Sequence, residues 1–358
     1  MSVNLNELVF FISFLVFIVM MLIIDLGVFQ KHSHTLKFKE SLAWTLVWVS
    51  ISFAFFLLIR YHGNWIHGAD SLTAIQERID KFHHPISIQG LSLEDAISRY
   101  NRNLSLEYLT GYLIEYSLSV DNIFVIVLIF ISFKIKPFYY KKVLFWGILG
   151  AVVMRFLFIF VSAVLIQRFE WFLYVFGIML VIIGLKMGWE FFLSKKEEKI
   201  DTEHHPVVIF MSKYFRVTKE DHDEKFWINR SGKIFFTPLF LVLLIIELSD
   251  VLFAVDSVPA VFSVTLDPYI VFFSNIFAIL GLRSLFFLVM DVMNRFHYLK
   301  LGLAVLLSFV GVKMLGTHFY KLSTNYSLLI IASILAFSII ASLIRSVIIE
   351  KSHEKRFR

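Results

Sequence analysis

The chain has 358 residues, of which 58% are hydrophobic and only 17% charged. A soluble domain of this length needs far more polar surface, so the composition excludes that class and implies a polytopic membrane protein. Cysteine is absent, which excludes disulfides, thiol redox chemistry, thiolate metal sites and iron–sulfur clusters, and the net charge of +6 lies in loops between apolar runs rather than in a nucleic-acid patch.

The first apolar run, Leu8 to Ile24, follows an acidic Glu7 and precedes no small-residue cleavage site, so it reads as a retained span. Asp25 closes it. Further runs long enough to cross a bilayer fall near 42–60, 109–132, 143–166, 169–192, 238–263, 269–292, 298–318 and 326–348, which gives nine spans. Lysines and arginines concentrate in the 29–41, 133–142 and 193–237 loops, at Arg295 and Lys300, and in the tail after Glu350. With nine spans these all share one side, which places the N-terminus outside and the C-terminus in the cytoplasm. The predicted organisation is therefore a two-helix segment (1–60), an extracytoplasmic loop (61–108), a first transmembrane unit (109–192), a cytoplasmic loop (193–237), a second unit (238–318) and a final helix with a basic tail (319–358).

The loop 61–108 contains His62, His67, His83 and His84 and an amphipathic stretch from Leu91 to Leu106. The loop 193–237 is rich in charge. Both read first as solvated linkers, with a metal-sensing or partner-binding role as the alternative. The pairs His83-His84 and His204-His205 lack the i,i+4 spacing of helical metal ligands and carry little weight as such.

Two apolar spans contain carboxylates in matching patterns. One runs from Glu115 to Asp121-Asn122; the other runs from Glu247 through Asp250 to Asp256-Ser257. A carboxylate at the bilayer centre costs roughly 2.5–3.5 kcal/mol on insertion scales, so such residues usually mark a pathway. Residues six apart on a straight helix lie about 240° apart around its axis. Glu115 and Asp121 therefore need different partners or a break between them, and so do Asp250 and Asp256. Pro259 favours a break in the second span, because it removes an N–H and clashes with the carbonyl of Val255.

The pattern extends further. Gly150 and Arg155 follow the first motif, and Gly281 and Arg283 follow the second; Gly184-Leu-Lys186-Met and Gly311-Val-Lys313-Met come next in each half. Each unit holds three spans, so the second enters the bilayer from the opposite side, as in inverted-repeat transporters. The candidate cation ligands are Glu115, Asp121, Asn122, Glu247, Asp250, Asp256 and Ser257, with Asp25 as an entry ligand or a solvated helix end. Oxygen donors alone suit Mg²⁺, Ca²⁺, Mn²⁺, Na⁺ or protons. Arg155, Arg283, Lys186 and Lys313 are counter-charges or gates; the alternative is that they form structural ion pairs with the acids, or that the lysines snorkel.

The runs Glu115-Tyr-Ser-Leu-Ser-Val-Asp-Asn and Glu247-Leu-Ser-Asp-Val-Leu-Phe-Ala-Val-Asp-Ser-Val-Pro resemble the signature segments of the TerC family, nearest its Alx-like branch. Asp25-Leu-Gly-Val-Phe-Gln-Lys, with Ala43-Trp44 and Trp48, is similar to that branch's N-terminal segment. The resemblance implies an all-α fold like that of the lysine-exporter superfamily, in the bacterial inner membrane. It implies export of manganese, with no covalently bound cofactor and no enzymatic activity, and intramembrane acids at Asp25, Glu115, Asp121, Glu247, Asp250 and Asp256. It also implies a 61–108 loop shorter than the one here. Proton exchange would drive export against an inside-negative potential. The competing reading is a membrane scaffold or metallation partner for secreted metalloenzymes, acting with a protein partner through the long loops. The expected partners are otherwise the lipid bilayer and a divalent ion, with no nucleic acid.

Overall fold

The computed structural model describes residues 5–30, 38–169, 171–193, 209, 213, 215–218, 225–230, 232–292, 298–316 and 324–356. It is an all-α membrane protein: α1 (Leu5–Gln30), α2 (Phe38–His62), a 3-10 turn (Gly63–Ile66), α3 (Leu72–Phe82), α4 (Leu93–Ser132), α5 (Pro137–Arg168), α6 (Trp171–Phe192), α7 (Pro238–Phe262), α8 (Pro268–Leu280), α9 (Leu282–Val292), α10 (Leu299–Leu315) and α11 (Thr324–Arg356). A short hairpin, β1 (Trp227–Arg230) with β2 (Lys233–Phe236), precedes α7 and pairs Trp227 with Phe236 and Arg230 with Lys233. Gly232 turns it at φ +76°, where a side chain would be strained.

Among the described residues, seven helices are long and apolar enough to cross a membrane, and the bent pair α8–α9 makes an eighth. The 17-residue α10 stands at the position of the remaining expected span. Local chemistry sets the starts. Pro137, Pro238 and Pro268 each occupy the first turn of a helix, where a missing N–H costs nothing. Ser92 accepts the Asp95 N–H at the head of α4, and Thr237 and Asp267 cap α7 and α8.

Two expectations are corrected. Neither acidic motif breaks its helix: α4 is continuous over its 40 residues and α7 runs through Pro259 to Phe262. Pro259 lies one turn from the end of α7, where losing a single backbone bond does not stop the helix. The break falls instead at Gly281, where α8 and α9 meet at 46°. The stretch 93–108 is also not a solvated loop. It is the first part of α4, with Tyr100, Leu104, Glu107 and Tyr108 fully buried. Buried positions there continue straight into the membrane-spanning part.

The apolar core divides into two bodies. The larger includes Ile114 and Leu118 of α4, Ile148 and Ala151 of α5, Ala254 of α7 and Ile279 and Leu280 of α8. The smaller includes Ile123, Leu144, Ile245, Ile246 and Leu282. Along these helices the boundary falls at 119–122, 145–147, 247–253 and 281; on α4 and α7 those stretches carry Ser119, Asp121, Asn122, Glu247 and Asp250.

Helices α6 and α10 pack closely because glycines face each other across their contact. A Cβ on Gly311 would lie 2.7 Å from the Gly177 carbonyl oxygen and 2.8 Å from the Val181 backbone nitrogen. Gly188, by contrast, has only the Ala304 Cβ at 3.7 Å. Gly311→Ala should therefore destabilise the protein by about 1–3 kcal/mol through overpacking. Gly188→Ala should be neutral or stabilising by up to about 1 kcal/mol through helix propensity. Thermal unfolding of the two purified variants in one detergent checks the contrast.

Candidate functional site

Helices α4, α5, α7 and α8 pack against one another around Arg155. Arg155 is fully buried near the middle of α5. Its guanidinium donates to Glu115 of α4, to Asp250 Oδ1 of α7 at 3.3 Å and to Asn275 Oδ1 of α8 at 2.8 Å. One cation thus joins an acid from each of the two motifs. This resolves the six-residue spacing by splitting partners rather than by breaking helices: Glu115 and Asp250, at corresponding positions, share Arg155.

Glu247 lies one turn before Asp250 and is half-buried. Its carboxylate covers Gly150 of α5, and any Cβ at that position would collide with it. Gly150 is therefore a space for a carboxylate. Ser257 of α7 interacts with Glu115, whereas Asp250 Oδ2, Ser119 Oγ and Asn122 Nδ2 are buried with no hydrogen-bonding partner among the described residues. Unpaired carboxylate oxygens in a dry interior are costly, by about 1–3 kcal/mol or more each.

The other predicted residues fall as follows. Asp256 is half-buried on α7, six residues beyond Asp250. Asp121 and Asp25 stand on helical backbone, and their side chains lie outside the described residues. Arg283 is buried just past the bend at Gly281. Lys313 is half-buried on α10, whereas Lys186 is exposed on α6. Among the described residues no three carboxylate or imidazole side chains converge into one metal site. Glu115 and Asp250 are held on either side of a guanidinium.

Sequence reasoning missed Asn275. It is fully buried, donates to the Val271 carbonyl at 3.0 Å and presents its oxygen to Arg155. The available signal was the polar pair Ser274-Asn275 in the centre of an otherwise apolar helix. Ser274 also packs tightly on α4, since a Cβ on Gly111 would lie 2.8 Å from its hydroxyl.

The sequence profile described as "Integral membrane protein TerC family" matches residues 100–353. An uncharacterized membrane protein, STKORF319, of Myxococcus xanthus is 40% identical over 334 residues, covering 93% of this chain and 92% of that protein. Proteins of Salmonella typhi and Escherichia coli K12, provisionally named membrane-bound redox modulator Alx, are 39% and 38% identical over 329 residues, 92% of each chain. No solved structure matches significantly.

Removing the guanidinium leaves two carboxylates without a counter-charge. Arg155→Met should cost about 3–5 kcal/mol, the range for breaking a buried pair from one side. Adding Glu115→Gln to that variant should restore part of the loss, so the two changes are not additive. Denaturation of both variants and of the single Glu115→Gln protein checks this; additive losses would remove Arg155 from the centre of the site.

Proposed function

The chain belongs to the TerC family of integral membrane proteins, and from that premise we propose that it exports a divalent cation, Mn²⁺, across the bacterial inner membrane. The observation that carries the reading is the Arg155 bridge between Glu115 and Asp250, with Glu247 one turn away. Two carboxylates bond one guanidinium and a third, Glu247, interacts with Asp250, an excess of negative charge that suits a hard cation. The carboxylate oxygens of Glu115 and Asp250 are the donors an entering ion would use, and Asp121, Asn122, Asp256, Ser257 and Asp25 complete or lead to the site. Arg155 is the counter-charge when no ion is bound; the ion displaces it and Asn275 receives it. Arg283 is the second unit's basic residue and Lys313 and Lys186 stand at opposite ends of the pathway. Manganese rather than magnesium or calcium comes from the family resemblance alone.

The architecture is nine spans, with α10 as the eighth in order and α8–α9 as one bent span. The units α4–α6 and α7–α10 form an inverted repeat. The packing supports this, because exchanging the units leaves its pattern unchanged: α4 on α8 is matched by α5 on α7, and α6 meets its counterpart α10. The Glu7, 61–108 and 263–267 end then faces outside and the basic loops face the cytoplasm. An inside-negative potential of 100 mV opposes outward movement of a divalent ion by about 4.6 kcal/mol. Inward proton movement offsets this: protonating a carboxylate on the outer side weakens the cage and releases the ion.

The relatives' name, redox modulator, does not bring thiol chemistry to this chain, which has no cysteine. Nothing in the family assignment indicates an enzyme.

Asp250→Asn, Asp121→Asn and Asp256→Asn should each abolish Mn²⁺ efflux from proteoliposomes, while the purified proteins keep the parent's size-exclusion profile. Efflux unchanged in all three would overturn the site. Efflux of the parent that ignores an imposed pH gradient would overturn the coupling alone.

A further inference from the structure

The second buried charge cluster lies away from the Arg155 layer, at the end of the bundle formed by the start of α1, the 61–108 segment and the turn between α7 and α8. His67 is fully buried just after the 3-10 turn. Its Nδ1 lies 3.2 Å from Glu7 Oε1 of α1, and its Nε2 lies 2.7 Å from Asp267 Oδ2, the cap of α8. Glu7 and Asp267 are both buried. An imidazole with a carboxylate on each nitrogen can donate to both only as the imidazolium. The neutral ring would leave one buried carboxylate facing a lone pair.

The surroundings are charged on every side. Helix α3 contributes Arg78, 3.8 Å from Glu7, and Lys81, which also acts on Glu7. The loop contributes His84, whose Nδ1 meets Glu107 Oε1 of α4 at 2.9 Å, while Asn103 donates to the same oxygen at 2.7 Å. Tyr100 of α4 and Tyr269 of α8 complete the shell, the latter ring packing on His67, and Lys313 of α10 interacts electrostatically with Glu107.

We propose that Glu7, His67 and Asp267 form a proton-binding clasp that holds this end of the bundle shut while His67 carries a proton and loosens when the proton leaves. The clasp ties α1 and the 61–108 segment to the turn between α7 and α8, and those two helices carry Asp250, Asp256 and Asn275. Loosening it frees the hairpin on the side of Asp256. The inference does not depend on which ion passes, or on whether one does.

The direction of the pH response follows from the two carboxylates, which push His67 up from an ordinary value of 6.5 to about 9. Glu107 likewise raises His84, and the histidines hold Asp267 below the usual carboxylate range. A raised folded-state value means the clasp contributes fully below 6.5 and is lost as pH rises through 9. It should not open on mild acidification.

The absence of cysteine makes the test direct. Val264→Cys places a thiol at a buried position beside Asp267, and Gln89→Cys gives an exposed reference. The readout is the ratio of their alkylation rates by iodoacetamide in the purified protein, which needs no assumption about sidedness. The ratio should rise about tenfold between about pH 7.5 and about pH 10 as the end opens. In a Glu7→Gln background one carboxylate is gone, and the midpoint should fall by about one pH unit or more. A flat ratio in the parent, or a midpoint that Glu7→Gln leaves in place, would overturn the clasp. Mn²⁺ efflux that fails while this pH response persists would instead count against the transport reading.

Discussion

Everything in this fold is arranged around the cost of holding carboxylates inside a hydrocarbon layer. One guanidinium meets that cost for two of them. Arg155 reaches Glu115 on α4, Asp250 on α7 and Asn275 on α8, so four helices must converge on a single side chain. A buried pair of this kind gives little net stability compared with apolar packing, but removing one member is expensive. It therefore specifies which helices meet rather than how strongly. The small residues follow from it: Gly150 leaves room for the Glu247 carboxylate, and Gly111 lets α8 approach closely enough for Asn275 to reach Arg155. The cluster lies within the larger apolar body: Ile114 and Leu118 flank Glu115, Ala151 and Ile159 flank Arg155, and Phe273 and Ile276 flank Asn275.

The class of the protein and the acids of the site were legible because lipid makes an acid in an apolar run conspicuous. The family was legible for the same reason, in the two motif runs. What was not legible was pairing. The i,i+6 spacing allowed either a broken helix or divided partners, and Pro259 tilted the reading toward a break that does not occur. Proline deletes one hydrogen bond, and near a helix end the neighbours absorb that loss. The actual bend is at Gly281, and glycine in an apolar run is an ambiguous sign because it also serves close packing, as Gly177 and Gly311 do. Asn275 was invisible for a related reason: its role depends on where Arg155 arrives from another helix. His84, with His83, was set aside as a ligand for lack of helical spacing, and His67 was read only as part of a solvated loop. His67 and His84 are instead each paired to carboxylates distant in sequence, Asp267 lying 200 residues from His67.

The two charge clusters are built differently, and the difference bears on how they act. Arg155 keeps its charge at any accessible pH, so its bonds can be exchanged only for another cation's. His67 titrates, so its bonds can be exchanged for nothing at all when a proton leaves. A permanent cation suits a layer that must stay neutralised, and in the proposed transport cycle only an entering ion replaces it. A titrating one suits a closure at the end of the bundle. Because α8, whose cap His67 holds, also carries Asn275 and is joined by one short turn to α7, displacement at one end changes the geometry available at the other without any further connecting element. Gly281, just past α8, is where the helix pair can take up that displacement, since the 46° bend there has already released the backbone from a continuous helix. The acids on α7, Glu247 and Asp250 within the apolar boundary and Asp256 three residues past it, then move as one body with the cap that His67 holds.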